Sequence, residues 1–267
     1  MLELLQYSFF QNAILAAIFT GVSCGIAGTY IVSKRIVFIS GGITHTSFGG
    51  IGIGYFLGIN PLIGAAVFSL LSALGIEYMS KKSEIREDSA IAIMWSFGMA
   101  IGIIFIYLTP GYAPNLMSYL FGSILTVSQT EIILIAVLSF IISMFFIIFY
   151  KPILYITFDP EFAKTRNLPV DTFNYLLISI IALTIVLSIK VSGIILIISL
   201  LTLPQTTAGI FVKNFKSILL ISVIIAVTGT IGGLFFAYAM DIPSGAAIIF
   251  LLVLLYLAGR GIKLLKL

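Results

Sequence analysis

The stretch IILIAVLSFIISMFFIIFY, residues 132–150, decides the fold class of this protein. It contains no charged side chain, and its 19 residues match the roughly 20 apolar residues that a helix needs to cross a bilayer. The whole chain agrees with this, since 60% of its 267 residues are hydrophobic and only 9% are charged. A typical soluble domain is about 25% charged. We therefore expect an all-α integral membrane protein, a polytopic bundle of transmembrane helices.

Apolar stretches of similar length recur on both sides of this one. Six are uninterrupted, and they cover residues 14–32, 62–79, 90–108, 173–189, 218–240 and 246–259. Two are irregular, because residues 36–59 contain Gly41 and Gly42, and residues 193–212 contain Pro204. Glycine and proline inside a span mark close packing, a kink or an unwound helix that lines a cavity. The sequence predicts nine crossings, or eight if one irregular segment re-enters the membrane.

The lysine and arginine residues orient the predicted spans. If Lys34 and Arg35 face the cytoplasm, 13 of the 14 basic residues fall on that side and only Lys190 falls outside. Basic residues concentrate in cytoplasmic loops, so we expect the N-terminus outside and the C-terminus inside. The predicted outer loops are short, and the longest inner loop covers residues 151–171. We therefore expect one transmembrane domain, residues 1–267.

Several catalytic and nucleotide-binding patterns are missing from the sequence. There is no G-x-x-x-x-G-K-[ST] phosphate loop, H-E-x-x-H pair or G-x-S-x-G elbow, so we expect neither an ATPase nor another enzyme. The single cysteine, Cys24, excludes an internal disulfide and a cysteine-rich metal site. The spans hold almost no charge apart from Glu77 and Glu131, which lie near span ends. Because ion-coupled carriers need buried charges, this pattern favours a pore that another chain drives.

His45 is the only histidine, and it lies inside an irregular span. Ten residues separate it from Arg35, or about 15 Å of helix, which places it near the middle of a hydrocarbon core about 30 Å thick. Its neighbours include Thr44 and, one helical turn away on the same face, Gly41. Two interpretations are open. The ring is hydrogen-bonded between helices at a glycine-lined contact, or it lines a pore as a ligand for a cation.

The loop 151–171 contains FDPEFAKTRNLP, residues 158–169. Asp159 is a good N-cap, Pro160 suits the first turn, and Glu161 matches the positive end of a helix dipole. A short cytoplasmic helix is therefore predicted, too small to have a core of its own. It is either a solvated connector or a docking element for a cytoplasmic partner, in which Phe162 and Arg166 take part.

Glycines at four-residue spacing predict close helix packing rather than sites. The pattern occurs in three places: Gly21 and Gly25; Gly50, Gly54 and Gly58; Gly229 and Gly233.

Six short motifs then identify a family. They are VFISGGITH at 37–45, REDSAIAI at 86–93, LFGSIL at 120–125, FD at 158–159 with LP at 168–169, LPQTTA at 203–208 and DIPSG at 241–245. Each motif alone is weak, but their order along nearly the whole chain resembles the membrane-permease family of zinc, manganese and iron ABC importers. That family typically has an aspartate four residues before the histidine, facing the pore. Gly41 stands at that position here.

The resemblance implies an ATP-driven importer in a prokaryotic inner or plasma membrane. It implies a second permease copy, two cytoplasmic ATPase subunits and an external metal-binding protein as partners, with no nucleic acid. The cargo would be a divalent transition metal, zinc first and manganese or iron next, and this chain would bind no cofactor of its own. His45, Gly41 and Thr44 would line the pore. Asp159, Glu161, Phe162 and Arg166 would couple to the ATPase. The alternatives are a stand-alone channel, an ion-coupled carrier, and a cobalamin or siderophore permease.

Overall fold

The computed structural model describes residues 6–82, 85–110, 116–194 and 197–265. Every regular element in these ranges is helical, as the composition predicted. A 3₁₀ turn covers Ile124–Thr126, and the α-helices are α1 Ser8–Lys34, α2 Val37–Phe56, α3 Pro61–Lys82, α4 Glu87–Leu108, α5 Leu116–Phe121, α6 Gln129–Ile148, α7 Tyr150–Phe158, α8 Pro160–Thr165, α9 Val170–Ser192, α10 Ile197–Leu200, α11 Leu203–Phe211, α12 Phe215–Met240 and α13 Ser244–Leu265.

Seven of these helices are long and apolar enough to cross a membrane, namely α1, α3, α4, α6, α9, α12 and α13. Each coincides with one of the uninterrupted stretches that the sequence predicted as spans. The two irregular stretches also fold as helix, but in other forms. The first becomes α2, whose 20 residues include many glycines and hydroxyl side chains, and the second becomes the broken pair α10 and α11.

The helices group into two compact units. The first contains α1, α5 from Met117 on, α6 and α10 to α13, together with the last residues of α9 from Ser188 on. The second contains α2, α3, α4, α8, most of α9, and α7 from Lys151 on. Each unit has a buried core of its own.

In the first unit, glycines let helix backbones approach each other closely. A Cβ added to Gly21 would lie 2.8 Å from the Cα of Val227, and one added to Gly25 would lie 2.7 Å from the Cα of Val223. No side chain fits in such gaps, so α1 packs directly on α12. Gly233 does the same for α12 against α13, where a Cβ would lie 2.5 Å from the Cα of Ile248, and Gly229 makes room for the side chain of Leu252. The predicted packing role of these four glycines is confirmed.

The segment after α5 crosses the end of α9 in the same unit. Gly122 and Gly193 meet there with φ values of 69° and 83°, in the left-handed region that favours glycine. Two backbone hydrogen bonds flank the crossing. Ser123 N donates to Lys190 O at 2.9 Å, and Ile194 N donates to Tyr119 O at 2.9 Å. A side chain on either glycine would collide with the backbone of the other segment.

In the second unit, α2 packs against both α3 and α4. A Cβ on Gly50 would lie 2.7 Å from the Cα of Ala65 in α3, and one on Gly98 would lie 2.5 Å from the Cα of Thr46. Gly54 likewise faces Pro61. For Gly58 the predicted packing role is wrong. It lies beyond the end of α2 with φ 68°, and a Cβ added there would meet nothing within 4 Å, so it is a turn glycine.

Candidate functional site

His45 lies near the middle of α2, eight residues, or about 12 Å, from the first residue of that helix. Its side chain is half-buried and stacks on Trp95 of α4. The two ring centroids are 4.1 Å apart and the ring planes differ by 9°. The glycine contacts between α2 and α4 explain this proximity, because they bring the two helix axes close enough for rings to meet face to face. One face of the imidazole is therefore covered by indole.

The hydroxyl groups around His45 bond to their own helix. Thr44 Oγ1 donates to Ser40 O, Ser47 Oγ donates to Thr44 O, and Thr46 Oγ1 donates to Ile43 O at 2.9 Å. All three side chains are buried, as is Gly41. Of the three residues that the sequence predicted to line a pore, His45 alone is partly exposed. The roles of Gly41 and Thr44 stay predictions.

Within the residues that the structure describes, no group of three or more His, Cys, Asp or Glu side chains could hold a metal ion. His45 therefore stands without such a group around it, and Gly41 has no side chain that could add a second donor. Chemically, this arrangement can offer one imidazole nitrogen to a passing cation. The ring that carries the nitrogen is stacked on Trp95, which restricts its orientation.

Sequence reasoning did not identify Trp95. It is the only tryptophan in the chain, and it lies two residues after the REDSAIAI motif, with Gly98 and Gly102 following at four-residue spacing. That spacing signals close helix packing around Trp95. It does not reveal which helix is the neighbour.

The predicted short helix in the inner loop is present as α8. Asp159 Oδ1 accepts a hydrogen bond from Phe162 N at 2.9 Å, and Pro160 occupies the first turn. Glu161 accepts a hydrogen bond from Lys164 Nζ at 2.8 Å, which raises the pKa of that lysine. The local structure therefore follows the sequence prediction.

The end of α8 and its aromatic surface complete this element. The helix stops after Thr165, and Asn167 adopts φ 54° beyond it. The ring of Phe162 packs edge-on against Tyr155 at 5.2 Å, and the Arg166 guanidinium lies 5.2 Å from the centre of the same ring. Phe162 is still 37% exposed and Phe158 is 60% exposed. An apolar and charged surface is thus available to a partner.

A charge network joins the end of α3 to the start of α9. Lys81 Nζ lies 2.7 Å from a Glu77 carboxylate oxygen and 2.7 Å from Asp171 Oδ1. The same ammonium group is 5.2 Å from the ring centre of Tyr175. Asp171 is the last residue of the loop 151–171, which carries α8. The network therefore attaches the end of this loop to α3. Glu77 is recognisable in the sequence near a span end, but its pairing with Lys81 and Asp171 is not.

Two of the remaining family motifs make hydrogen bonds within the first unit. Gln205 of LPQTTA is buried, and its Nε2 donates to Cys24 O at 2.9 Å. Ser244 of DIPSG accepts a hydrogen bond from Ile124 N at 3.2 Å. Lys190, the basic residue that the predicted topology leaves outside, lies 3.6 Å from Glu131.

Comparisons with known proteins agree with the motifs. Residues 6–261 match the family model described as the ABC 3 transport family. The chain is 44% identical to an uncharacterised membrane protein of Synechocystis sp., covering 98% of this chain and 94% of that protein. It is 33% identical to the manganese transport system membrane protein MntC of Halalkalibacterium halodurans, covering 92% and 85%. Among solved structures, PsaBC from Streptococcus pneumoniae in complex with Fab matches with a TM-score of 0.87 and 32% identity, covering 97% of this chain and 93% of that one.

These matches extend over nearly the whole chain, and the seven apolar helices agree with a multi-pass protein of the bacterial plasma membrane. The predicted family is confirmed. The chain therefore belongs to the ABC 3 transport family, and it is a membrane permease subunit rather than an ATPase.

Proposed function

We propose that this chain is the permease of an ATP-driven importer of a divalent transition metal ion, with manganese as the first candidate. The observation that carries the proposal is His45, a half-buried imidazole midway along α2 with its ring held against Trp95. The manganese transport relative supports the cargo. Zinc, which the sequence analysis placed first, now follows manganese together with iron.

The side chains at the site do not by themselves select one of these metals. Imidazole suits zinc and iron, whereas manganese prefers carboxylate, carbonyl and water oxygens. Two copies of this chain would offer two His45 rings and, with Gly41 at the family's acidic position, no carboxylate there. An ion held by so few protein ligands keeps water in its shell, which suits manganese and suits passage rather than storage.

We further propose nine crossings, with the N-terminus outside and the C-terminus inside. The positive-inside pattern supports this orientation. At 20 residues, α2 is about 30 Å long, enough to cross the hydrocarbon core. The pair α10 and α11 would supply the ninth crossing. Reporters fused after Arg86 and Lys164 should read as cytoplasmic, and one near Tyr112 as external. An external signal at Lys164 would overturn this topology.

Residues 1–267 would act as one permease domain that assembles with a second copy, two ATPase subunits and an external metal-binding protein. In this assembly α8 would be the coupling element within the loop 151–171. Its support is a capped helix that exposes Phe162, Glu161 and Arg166. Alanine at each of these three should lower transport-linked ATP hydrolysis. The control is Lys151→Gln, which removes a charge from the same loop outside α8. Unchanged coupling in all three variants would return the loop to a connector role.

The central experiment measures metal uptake by proteoliposomes that contain the complete complex. Wild type should take up manganese only with ATP and the binding protein, and His45→Ala should abolish or strongly reduce uptake while the protein still inserts and assembles. Competition with zinc and iron ranks the metals. Uptake without ATP would instead support a channel or carrier. Normal uptake by His45→Ala would remove His45 from the metal path.

A further inference from the structure

An apolar groove of about 640 Å³ lies in the first unit, between α1, α6 and α12. Its walls are formed mainly by Val22, Ile26, Phe146, Ile147, Leu220 and Ile224. Three of these are open to the surroundings, with Ile147 67%, Leu220 53% and Ile224 60% exposed. The groove is therefore a surface feature of helices that cross the membrane.

Apart from Ser143, the polar side chains of the groove lie at one end of it. Lys216 is in the first turn of α12, and Tyr150 is the first residue of α7, two residues after the end of α6. Rings at these two helix ends adjoin, since Tyr150 and Phe215 have centroids 6.1 Å apart. Ile224, eight residues beyond Lys216, lies about 12 Å further along the groove. Ser143 is the other polar lining residue, and its hydroxyl already donates to Ser139 O at 2.6 Å.

The positive charge of Lys216, at the polar end of the groove, has no acidic partner among the residues that the structure describes. Lys216 is exposed, and its ammonium group has no ion pair or hydrogen bond within the part of the chain that the structure describes. The first turn of α12 contains no acidic residue, so the positive end of its dipole adds to the charge of Lys216. Lys213, three residues earlier, differs because its Nζ donates to Gly209 O at 3.0 Å.

We propose that this groove binds an anionic phospholipid, with one acyl chain along the apolar walls and the phosphate at Lys216. Water in such a groove would find few hydrogen-bond partners, whereas an acyl chain fills it at no polar cost. A lysine at the end of a membrane helix lies at headgroup depth, where basic residues attract anionic lipid. The positive end of the α12 dipole favours phosphate for the same reason, while the backbone N–H of Lys216 itself donates to Asn214 Oδ1 at 2.9 Å. The proposal requires only that α1, α6 and α12 cross the membrane, and it is independent of the transported metal.

The test is lipid binding by the purified permease in mild detergent, followed by native mass spectrometry. Dioleoylphosphatidylglycerol is the anionic probe and dioleoylphosphatidylcholine is its neutral counterpart. Wild type should retain the anionic lipid preferentially. Lys216→Gln should weaken its binding about fivefold, the share of one lysine at an anionic surface. The matched control, Lys213→Gln, should bind as wild type.

A second variant tests the apolar part of the groove separately from the charge. Ile224→Trp should fill the groove and reduce binding of the anionic lipid while Lys216 stays in place. Thermal unfolding of each variant reports whether it is folded. Equal binding of both lipids by wild type, or unchanged binding by Lys216→Gln, would overturn the proposal. So would complete disulfide cross-linking between two copies that carry Leu220→Cys, since the groove would then be an interface between copies.

Discussion

Replacing Trp95 by alanine should weaken manganese uptake through the half-saturation concentration rather than the maximal rate. Trp95 covers one face of the His45 ring at 4.1 Å, nearly parallel to it. In the variant the imidazole would be free to adopt other rotamers. Only the fraction of molecules with the correct ring orientation would then bind the ion well, and the apparent affinity would be the intrinsic affinity multiplied by that fraction.

The stack itself limits the size of this effect. An aromatic pair is worth about 0.5 to 1.5 kcal/mol beyond the area it buries, and this corresponds to a change of about 2- to 13-fold in an equilibrium constant. The half-saturation concentration should therefore rise within that range. Trp95→Phe, which keeps a ring at the position, should fall between alanine and wild type.

The assay is the initial rate of manganese uptake by proteoliposomes at several manganese concentrations, with ATP in excess. The matched control is Phe97→Ala, which removes a ring from the same helix that pairs with Phe68 at 6.3 Å and not with His45. If Trp95→Ala keeps the wild-type half-saturation concentration while His45→Ala loses uptake, the stack does not position the ligand. The same conclusion follows if Phe97→Ala shifts this concentration as much as Trp95→Ala does.

Three further predictions concern packing, the α8 cap and the charge network. Gly50→Val should lower the thermal midpoint in detergent by several degrees, because a Cβ at this position would lie 2.7 Å from the Cα of Ala65. Overpacking of this kind costs about 1 to 3 kcal/mol. The control Gly75→Ala should leave the thermal midpoint unchanged, since its new Cβ would lie 3.8 Å from the methyl group of Met94. Asp159→Ala should destabilise α8 by about 1 kcal/mol and reduce coupled ATP hydrolysis. Asp159→Asn, also a good N-cap, should retain wild-type coupled hydrolysis. Equal activity of the alanine and asparagine variants would contradict a role of the cap in coupling. Lys81→Met should lower both thermal stability and coupling, since it removes the ammonium group that lies 2.7 Å from both the Glu77 and the Asp171 carboxylates. A wild-type result in both measurements would remove the network from the coupling path.

Membrane spans were predictable because length and hydropathy alone decide them. Seven predicted stretches became helices such as α6, whose limits differ by a few residues from the apolar run. The short helix α8 was predictable for another reason, because the Asp159 cap and Pro160 act on their own backbone neighbours. Information of this kind is contained in a few consecutive residues.

The candidate site was only partly predictable, because its pairings join distant parts of the chain. The position of His45 in its span follows from sequence distance. Its stacking on Trp95 depends on how α2 and α4 are rotated against each other, and periodicity does not give that rotation. The pairing of Lys81 with Asp171, 90 residues away, is hidden for the same reason. Gly58 was misassigned because four-residue spacing continued past the end of the helix that gave it meaning.

The crossing of Gly122 and Gly193 acts as a mechanical clamp. Two hydrogen bonds of 2.9 Å hold the chain on either side of it, and the two backbones touch without intervening side chains. Soft side-chain packing normally lets neighbouring segments slip against each other before either is displaced. No side chains separate the two segments here, so a displacement of the end of α9 also displaces the segment after α5. A conformational change that displaces either segment is therefore expected to displace both as a rigid pair.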